Sequence, residues 1–482
     1  MAELQSKNKI AKNIFVALAA QIVSVVASFV LGLIVPKFID EYQYAYWQTF
    51  LLYFGYIGLV PLGLLDGIIL RFSDRDYGEL DKKKIAGQFR ILMLWATVLS
   101  AVLIAVSFFL ETQETRWILR LLALAILVHL FYAYNLDIYQ ITNRINYYAT
   151  FVVVQRVLYV LIIVVLLLLK VNHFALICLA EIVGELVAAV IGTAKNRGLY
   201  LSRGDRIGEE LKEVRANVSA GFLLMVANFS ANFIVGGAKM VIQWRWDMLV
   251  FGKVSFSFSV ANLFLTFVTA IGVVLFPSLK RMKQEELPDL YGKVRNVLSP
   301  VLVYALIFYF PVCVILELWL PNYAESLVYL GILLPVIVYL SKVNLLTNNY
   351  LKAYREEKKM FFINIGSIAI GFLLFLLCAY GLDNLDLLLY SVVLIIVVRS
   401  VVSEIVVSKI IGKKFGKDYA AELAMTIVFV VVVRYLNLWQ GCLAYLAAIA
   451  GYTVIYRKEI RNLLKSLKNA IKNKFSKKKE ES

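Results

Sequence analysis

The sequence predicts an all-α integral membrane protein with about fourteen transmembrane helices. Of its 482 residues, 61% are hydrophobic, and the mean hydropathy is +0.77. Soluble domains contain about 45–50% apolar residues. The excess occurs as repeated apolar blocks of about 20 residues, which is long enough for a helix to span a hydrocarbon layer of about 30 Å. The spans are helical because lipid cannot satisfy unpaired backbone groups.

The apolar blocks define the predicted spans, of which six precede a polar linker and eight follow it. In chain order they cover residues 11–36, 44–70, 89–110, 117–139, 148–169, 174–191, 218–238, 254–276, 297–318, 326–346, 361–380, 387–407, 420–438 and 441–456. The last of these is the shortest.

The charge distribution predicts the orientation of the chain. The net charge is +17 and the sequence pI is about 9.5. Most of the 50 Lys and Arg residues lie in alternate connecting segments, among them the two termini. Because cytoplasmic loops of membrane proteins collect Lys and Arg, we expect a multi-pass cell-membrane protein with both termini in the cytoplasm. The same rule explains the basic pI, so no nucleic-acid partner is expected.

The spacing of the spans predicts an internal repeat. Spans three and nine begin at residues 89 and 297, and spans five and eleven begin at 148 and 361. The two halves share one orientation, which is a common plan among transporters. We therefore predict two six-helix lobes plus two C-terminal helices. The boundaries are 1–191 for the N-lobe, 192–217 for a cytoplasmic amphipathic linker, 218–409 for the C-lobe, 410–456 for the last two spans and 457–482 for a basic tail.

Two polar segments show helical periodicity. In the linker, Ile207, Leu211, Val214 and Val218 recur at the spacing of one helix face. The tail carries a similar apolar stripe among its lysines. A basic surface helix is attracted to anionic lipid by about 1 kcal/mol per charge, so anionic membrane lipids are the expected partner of the tail.

The sequence lacks the residue patterns of an enzyme. His129 and His173 have no metal-ligand spacing and are expected to pack in the core, and the four cysteines are isolated in apolar blocks. The longest predicted outer connection is 239–253, which is short for an enzyme that acts outside the membrane. We therefore expect no catalytic residue, no metal and no cofactor.

Charged side chains inside the spans are the candidate functional residues, because a central charge costs about 2.5–3.5 kcal/mol and normally faces a cavity or a partner. Arg156 lies in span five, Arg399 near the middle of span twelve, and Lys342, with Asn344 nearby, in the inner part of span ten. One interpretation is that these residues line a cationic cavity between the halves and bind a substrate.

Glu181 and Glu185 lie one turn apart on one face of span six. They either form an ion pair with Arg156 or take part in coupling, for which a proton and a sodium ion both remain open. Lys239 and Arg245 are expected at the outer mouth of the cavity. Three Asn residues of spans seven and eight either line the cavity or join helices: Asn228, Asn232 and Asn262.

Three stretches carry a resemblance to a known family. Glu41–Asp74 reads EYQYAYWQTFLLYFGYIGLVPLGLLDGIILRFSD, Lys239–Met282 ends in FPSLKRM, and Tyr350–Lys359 reads YLKAYREEKK. In order and spacing they resemble the MOP superfamily of exporters, and within it the polysaccharide or oligosaccharide flippases of the Wzx type. The likeness covers roughly residues 10–460.

The resemblance implies a substrate and a pathway. The substrate would be an oligosaccharide repeat unit on an undecaprenyl-type pyrophosphate carrier, moved from the inner to the outer leaflet by alternating access. The product would serve export of capsule, exopolysaccharide, O-antigen or teichoic acid, and the protein would act as a monomer. A pyrophosphate in a low-dielectric cavity requires cations, and Arg offers bidentate donors.

Two alternatives remain open at this point. One is a MATE-like drug or cation antiporter, and the other is a flippase for a lipid-linked peptidoglycan precursor. The superfamily's drug exporters usually carry an acidic residue in their first helices. Span one has none, and Asp66 lies at the predicted cytoplasmic end of span two, which favours the polysaccharide flippase.

Overall fold

The computed structural model describes residues 21–73, 76–200, 202, 205–280 and 286–457. All regular secondary structure in these ranges is helical, so the predicted fold class is confirmed. The basic tail from residue 458 onward, and with it the predicted contact with anionic lipid, lies outside the described residues.

Sixteen helices carry the described part of the fold. They are α1 (Gln21–Phe38), α2 (Glu41–Leu59), α3 (Leu64–Phe72), α4 (Lys82–Ser107), α5 (Gln113–Ile141), α6 (Ile145–Leu168), α7 (Phe174–Lys195), α8 (Ile207–Arg245), α9 (Met248–Lys280), α10 (Leu287–Trp319), α11 (Pro321–Leu333), α12 (Pro335–Ala353), α13 (Glu357–Gly381), α14 (Leu385–Ile411), α15 (Gly416–Tyr435) and α16 (Leu438–Ile455).

Most of these helices are membrane-spanning by length and composition. Within the described residues, ten are long and apolar enough to cross a membrane by themselves. Three bent pairs raise the number to as many as thirteen: α2 with α3 at 47°, the two parts of α8 at 62°, and α11 with α12 at 45°. Helix α15 covers the predicted thirteenth span, so the pattern agrees with the expected number of about fourteen.

Short polar residues determine where several helices begin and end. The Asp81 carboxylate accepts hydrogen bonds from the first backbone N–H groups of α4, and the Asn384 side chain accepts from the backbone of Leu387 at the start of α14. Such N-caps satisfy backbone donors that have no partner inside the helix. Helix α14 is followed by Gly412, whose φ of +69° is the left-handed conformation that glycine adopts without strain.

A seam of glycines brings α3 and α8 into close contact. A Cβ added to Gly67 would lie 1.9 Å from the carbonyl oxygen of Asn217, and one added to Gly221 would lie 2.1 Å from the carbonyl oxygen of Gly63. Only glycine fits at such distances, so these residues permit the helix backbones to touch. We call this contact the glycine seam.

By packing, the chain divides into two units. Among the described residues, the first unit comprises those from 21 to 270 and 379–381, and the second comprises those from 271 to 378 and from 382 to 457. This division comes later in the chain than the predicted lobe boundary at 218, because the glycine seam packs α8 along α3. The predicted lobes rest on a repeat in the sequence, so the six-plus-six arrangement remains a prediction.

Candidate functional site

A polar cavity of about 290 Å³ lies within the first unit, between α1, α2, α6, α7 and α9. Its walls combine hydroxyl, amide and aromatic side chains with two charged ones. The lining residues are Ser28, Leu31, Gly32, Trp47, Gln48, Leu51, Phe54, Arg156, Tyr159, Glu181, Ser259, Asn262, Leu263 and Thr266.

Irregular backbone forms one wall of this cavity. Residues Val30–Ile34 of α1 make a π-helical turn, which contains the lining residues Leu31 and Gly32. A Cβ on Gly32 would lie 3.4 Å from the side chain of Leu263, so α1 and α9 are in close contact there. Single π-turns occur frequently at functional sites, and here the turn lies beside the cavity.

Among the described residues that line the cavity, Arg156 and Glu181 carry the charges. Arg156 Nη1 lies 3.8 Å from Glu181 Oε1, and the Gln155 amide donates to the same oxygen at 3.0 Å. The Arg156 side chain is 39% exposed, whereas that of Glu181 is buried. The predicted ion pair between Arg156 and Glu181 is therefore present, and the guanidinium still reaches the cavity.

A second acidic group lies one turn further along α7. Glu185 Oε1 is 2.9 Å from Nδ1 of His129, which projects from α5. The His129 ring also packs against that of Phe54, as expected for a core residue, and Glu185 is an acidic partner that the sequence does not predict for it. The two residues are 56 positions apart in the chain, so no local motif could reveal the pair.

The second unit contains a buried ring of four charged side chains, which we call the ion ring. Arg295 lies 3.4 Å from Glu404 and 3.0 Å from Glu422. Lys342 contacts the other oxygen of each carboxylate, at 2.6 Å for Glu404 and still closer for Glu422. Cations and carboxylates alternate around the ring, so each buried charge has two opposite neighbours, and the ring joins α10, α12, α14 and α15.

The ion ring changes the interpretation of Lys342. Asp418 also pairs with Arg295, at 3.1 Å, so the cluster contains three carboxylates and two cations. This arrangement favours a structural role for Lys342 over the predicted contact with a substrate. Asn344 is half-buried in an adjacent π-helical turn, and its carbonyl oxygen accepts a hydrogen bond from the Asn349 amide at 3.3 Å.

Arg399 lies in the second unit and is 1% exposed. Its Nε donates to the Asn364 side-chain oxygen at 2.9 Å, which joins α14 to α13. The residue is therefore buried, as expected for a charge in the middle of a span. Its predicted contact with a substrate remains a prediction.

The two cations predicted at the outer mouth lie near the end of α8. Lys239 Nζ is 5.7 Å from the centre of the Phe251 ring, and Arg245 Nε donates to the carbonyl oxygen of Ala379 at 3.2 Å. Both side chains are half-buried. These contacts are compatible with a structural role, and the role at the outer mouth remains a prediction.

The three Asn residues differ in their surroundings. Asn262 lines the cavity. The Asn228 amide donates to the Asp66 carboxylate at 3.2 Å, and the carbonyl oxygen of Asn232 accepts from the Tyr56 hydroxyl at 3.2 Å. Asn228 and Asn232 therefore join α8 to the α2–α3 pair, while Asn262 contributes to the polar wall.

The chemistry available in the first unit is that of binding. A guanidinium offers several N–H donors to an anion, and the amide and hydroxyl groups around it offer hydrogen bonds to a polar ligand. In the part of the chain that the structure describes, no group of three or more His, Cys, Asp or Glu side chains is placed to hold a metal ion.

The described helices define a multi-pass membrane protein, and its fold is shared with known membrane transporters. The structure is similar to an inward-facing multidrug resistance MATE transporter, with 13% identity, a TM-score of 0.63, and 82% of this chain and 94% of that chain covered. It is equally similar to the lipid II flippase MurJ in an inward closed conformation, with 11% identity, a TM-score of 0.63, and coverage of 93% and 100%.

The family follows from the sequence itself. Residues 10–283 match the family described as polysaccharide biosynthesis protein, and the chain belongs to that family. Among curated proteins, none matches the chain. The resemblance to the polysaccharide flippases is thereby confirmed at the level of family and fold.

Proposed function

We propose that the protein is a flippase that moves isoprenoid-pyrophosphate-linked oligosaccharide repeat units from the inner to the outer leaflet, for export of a cell-surface polysaccharide. Family membership supports a role in polysaccharide biosynthesis, and the fold supports transport. The observation that carries the proposal is the polar cavity of the first unit, into which Arg156 projects.

The composition of the cavity fits a glycan that is attached to an anionic group. The wall offers one guanidinium, two side-chain amides, three aliphatic hydroxyls and several aromatic rings. Amides and hydroxyls form hydrogen bonds with sugar hydroxyls, and a guanidinium binds phosphate through paired N–H donors. A purely apolar substrate would displace water from these polar groups without offering them hydrogen bonds, which is unfavourable in a low-dielectric site.

The size of the cavity sets the part of the substrate that enters it. Ligand pockets usually measure about 300–1,000 Å³, and this cavity, at about 290 Å³, lies at the low end. In this conformation it holds the pyrophosphate with an adjacent sugar and excludes a complete oligosaccharide. Alternating access then enlarges the cavity when a larger head group binds.

The contact between Arg156 and Glu181 supplies a route to coupling. A pyrophosphate that binds Arg156 competes with the Glu181 carboxylate, which is buried and then lacks its cation. A buried carboxylate without a cation favours the uptake of a proton. Binding of the substrate is therefore linked in the proposal to coupling at the Glu181–Glu185 pair, with a proton and a sodium ion as the two candidate coupling ions.

Arg399 is also proposed to bind the pyrophosphate. Its guanidinium is always charged and offers several N–H donors of the kind that bind phosphate. Arg399 does not line the cavity described above, so Arg156 carries the proposal.

The two alternative functions, a drug antiporter and a flippase for a peptidoglycan precursor, differ from the proposed one in their substrates. A cationic drug would meet the Arg156 guanidinium, which is more exposed to the cavity than the Glu181 carboxylate, and this disfavours an antiporter of that kind. A peptidoglycan precursor has the same pyrophosphate and lipid chemistry as a polysaccharide repeat unit, so only the glycan distinguishes it.

Binding to purified protein tests the proposal. We expect a lipid-linked oligosaccharide to bind wild-type protein in detergent, and binding to weaken on Arg156→Ala and also on Arg156→Lys, which keeps the charge but loses the planar pair of donors. A charged hydrogen bond contributes about 1.5–3 kcal/mol, which corresponds to binding weaker by about ten- to a hundredfold. Arg434→Ala is a matched control, since Arg434 is 45% exposed and pairs with Asp386 outside the cavity.

Three outcomes would contradict the proposal in different ways. Equal binding by wild-type protein and both Arg156 variants would show that the substrate does not bind in the cavity. Tighter binding of a lipid-linked peptidoglycan precursor than of any polysaccharide repeat unit would favour a flippase for that precursor. Competition by organic cations, with no effect of the lipid-linked glycan, would favour a drug antiporter.

A further inference from the structure

The first turns of α8 carry three chemically different faces. At 3.6 residues per turn, each residue advances by about 100° around the helix. Ile207, Leu211, Val214, Val218 and Phe222 then fall within a sector of about 80°, which we call the apolar stripe. The acidic and amide residues of the same turns lie to one side of the stripe, and exposed cations lie to the other.

The polar face of these turns is directed into the protein. Glu210 pairs with Arg90 at 2.9 Å, and Glu213 pairs with Arg71 at 2.9 Å. Asn217, which is fully buried, accepts a hydrogen bond from Arg71 at 2.5 Å. These contacts attach the helix to α3 and α4, and they fix its rotation.

The apolar stripe is therefore directed outward. Ile207 is 75% exposed, Leu211 is 51% exposed and Phe222 is 43% exposed, while Val214 and Val218 are half-buried. The surface helix of a soluble protein shows the opposite arrangement, with its apolar side buried and its charges in water. An apolar stripe that faces outward, continuous with the spanning part of α8, requires an apolar environment.

Exposed cations flank the stripe. Arg215 lies about 60° and Lys212 about 120° from the middle of the stripe, and both side chains are exposed. The exposed acidic residue of these turns, Glu209, lies on the opposite side of the helix. Amphipathic helices that lie at a membrane surface combine an apolar face with flanking Lys and Arg in the same way.

We propose that residues 207–222 lie at the surface of the membrane on the predicted cytoplasmic side, with the apolar stripe among acyl chains and with Lys212 and Arg215 at anionic lipid head groups. The positive flank and the outward apolar stripe together select an anionic lipid surface over water or an acidic peptide. The contact holds the segment between the sixth and seventh spans against the bilayer, and it does not depend on the identity of the transported substrate.

Spin labels in lipid nanodiscs test this placement. The background is the full chain with Cys442→Ser, since the other three native cysteines are buried. A label at Leu211→Cys is compared with one at Ala216→Cys, an exposed position about 160° from the middle of the stripe. Frequent collisions of the label with oxygen, which concentrates in the hydrocarbon, indicate that the label lies among acyl chains. Frequent collisions with a water-soluble nickel chelate indicate that the label is in water.

We expect the Leu211 label to collide several times more often with oxygen than with the nickel chelate, and the Ala216 label to show the reverse. Nickel collisions at Leu211 as frequent as at Ala216 would overturn the proposal, because the stripe would then be in water. Low collision rates for both reagents at Leu211 would also overturn it, because the stripe would then be covered by protein, either a second copy or the basic tail.

The role of anionic lipid is tested in the same nanodiscs. Each cation near an anionic surface contributes about 1 kcal/mol, which is about fivefold in an equilibrium constant. In discs with anionic phosphatidylglycerol, Lys212→Gln combined with Arg215→Gln should increase the nickel accessibility of the Leu211 label. In discs of zwitterionic lipid alone the two substitutions should have no effect. An equal effect in both kinds of disc would overturn the assignment to anionic head groups.

Discussion

Gly67→Ala tests the glycine seam between α3 and α8. The added Cβ would lie 1.9 Å from the carbonyl oxygen of Asn217 and 2.5 Å from its carbonyl carbon. An ordinary contact begins at 3.4 Å, so the two helices must separate by about 1.5 Å or the backbone must bend. Both atoms belong to helix backbone, which cannot move aside as a flexible side chain does.

The expected destabilisation is about 2 kcal/mol. Overpacking in a well-packed interior costs about 1–3 kcal/mol. Separation of the helices also weakens the hydrogen bond from Arg71 to Asn217 and the one from Asn217 to Gln88 at 2.8 Å, each of which contributes about 0.5–1.5 kcal/mol. The higher helix propensity of Ala offsets up to about 1 kcal/mol of this destabilisation.

The measurement is the free energy of unfolding in mixed micelles by denaturant titration. Gly208→Ala is the matched control, because Gly208 also lies in a helix of this seam but has open space around it. The control should be neutral or up to about 1 kcal/mol more stable. A Gly67→Ala protein that is as stable as the control would refute the close approach of the two helices.

Three further predictions follow from the charges. Lys342→Met should destabilise the protein by about 3–5 kcal/mol, because the buried carboxylates of Glu404 and Glu422 then share Arg295 as their cation. Adding Glu422→Gln should restore part of the loss, and denaturant titration of the single and double variants measures both. Glu181→Gln combined with Glu185→Gln should flatten the pH dependence of transport in vesicles with an imposed pH gradient, and an unchanged profile would leave these residues only their ion-pair role. A reporter fused after Asn384 should give an outside signal and one fused in the basic tail an inside signal, while the opposite pair of signals would contradict the N-inside orientation.

The sequence predicts the spans well, because lipid demands long apolar helices regardless of their tertiary packing. It does not predict the irregular backbone within them. The π-helical turn at Val30–Ile34 and the corner at Gly63, with a φ of +89°, depend on how neighbouring helices fit together. The same applies to the glycine seam, whose members are about 150 positions apart in the sequence.

The candidate site shows the same division between local and long-range information. An ion pair of Arg156 with Glu181 or Glu185 is one of the interpretations that the sequence leaves open, and the structure brings Arg156 and Glu181 together. The ion ring was not predicted: Arg295 is 109 positions from Glu404 and 127 from Glu422, and periodicity does not report such pairs. A sequence argument that matched the charges of all spans against each other would have raised Glu404 and Glu422 as candidates to pair with Lys342.

Transport of a defined substrate in proteoliposomes tests the central claim most directly. Purified protein is reconstituted into vesicles that carry a fluorescent isoprenoid-pyrophosphate-linked oligosaccharide, and a membrane-impermeant reagent or lectin reports the fraction in the outer leaflet over time. The account predicts movement between leaflets by wild-type protein, a strong loss with Arg156→Ala, and wild-type rates with Arg434→Ala. Folded wild-type protein that moves none of the lipid-linked oligosaccharides supplied, or an Arg156→Ala protein that moves them at the wild-type rate, would contradict it.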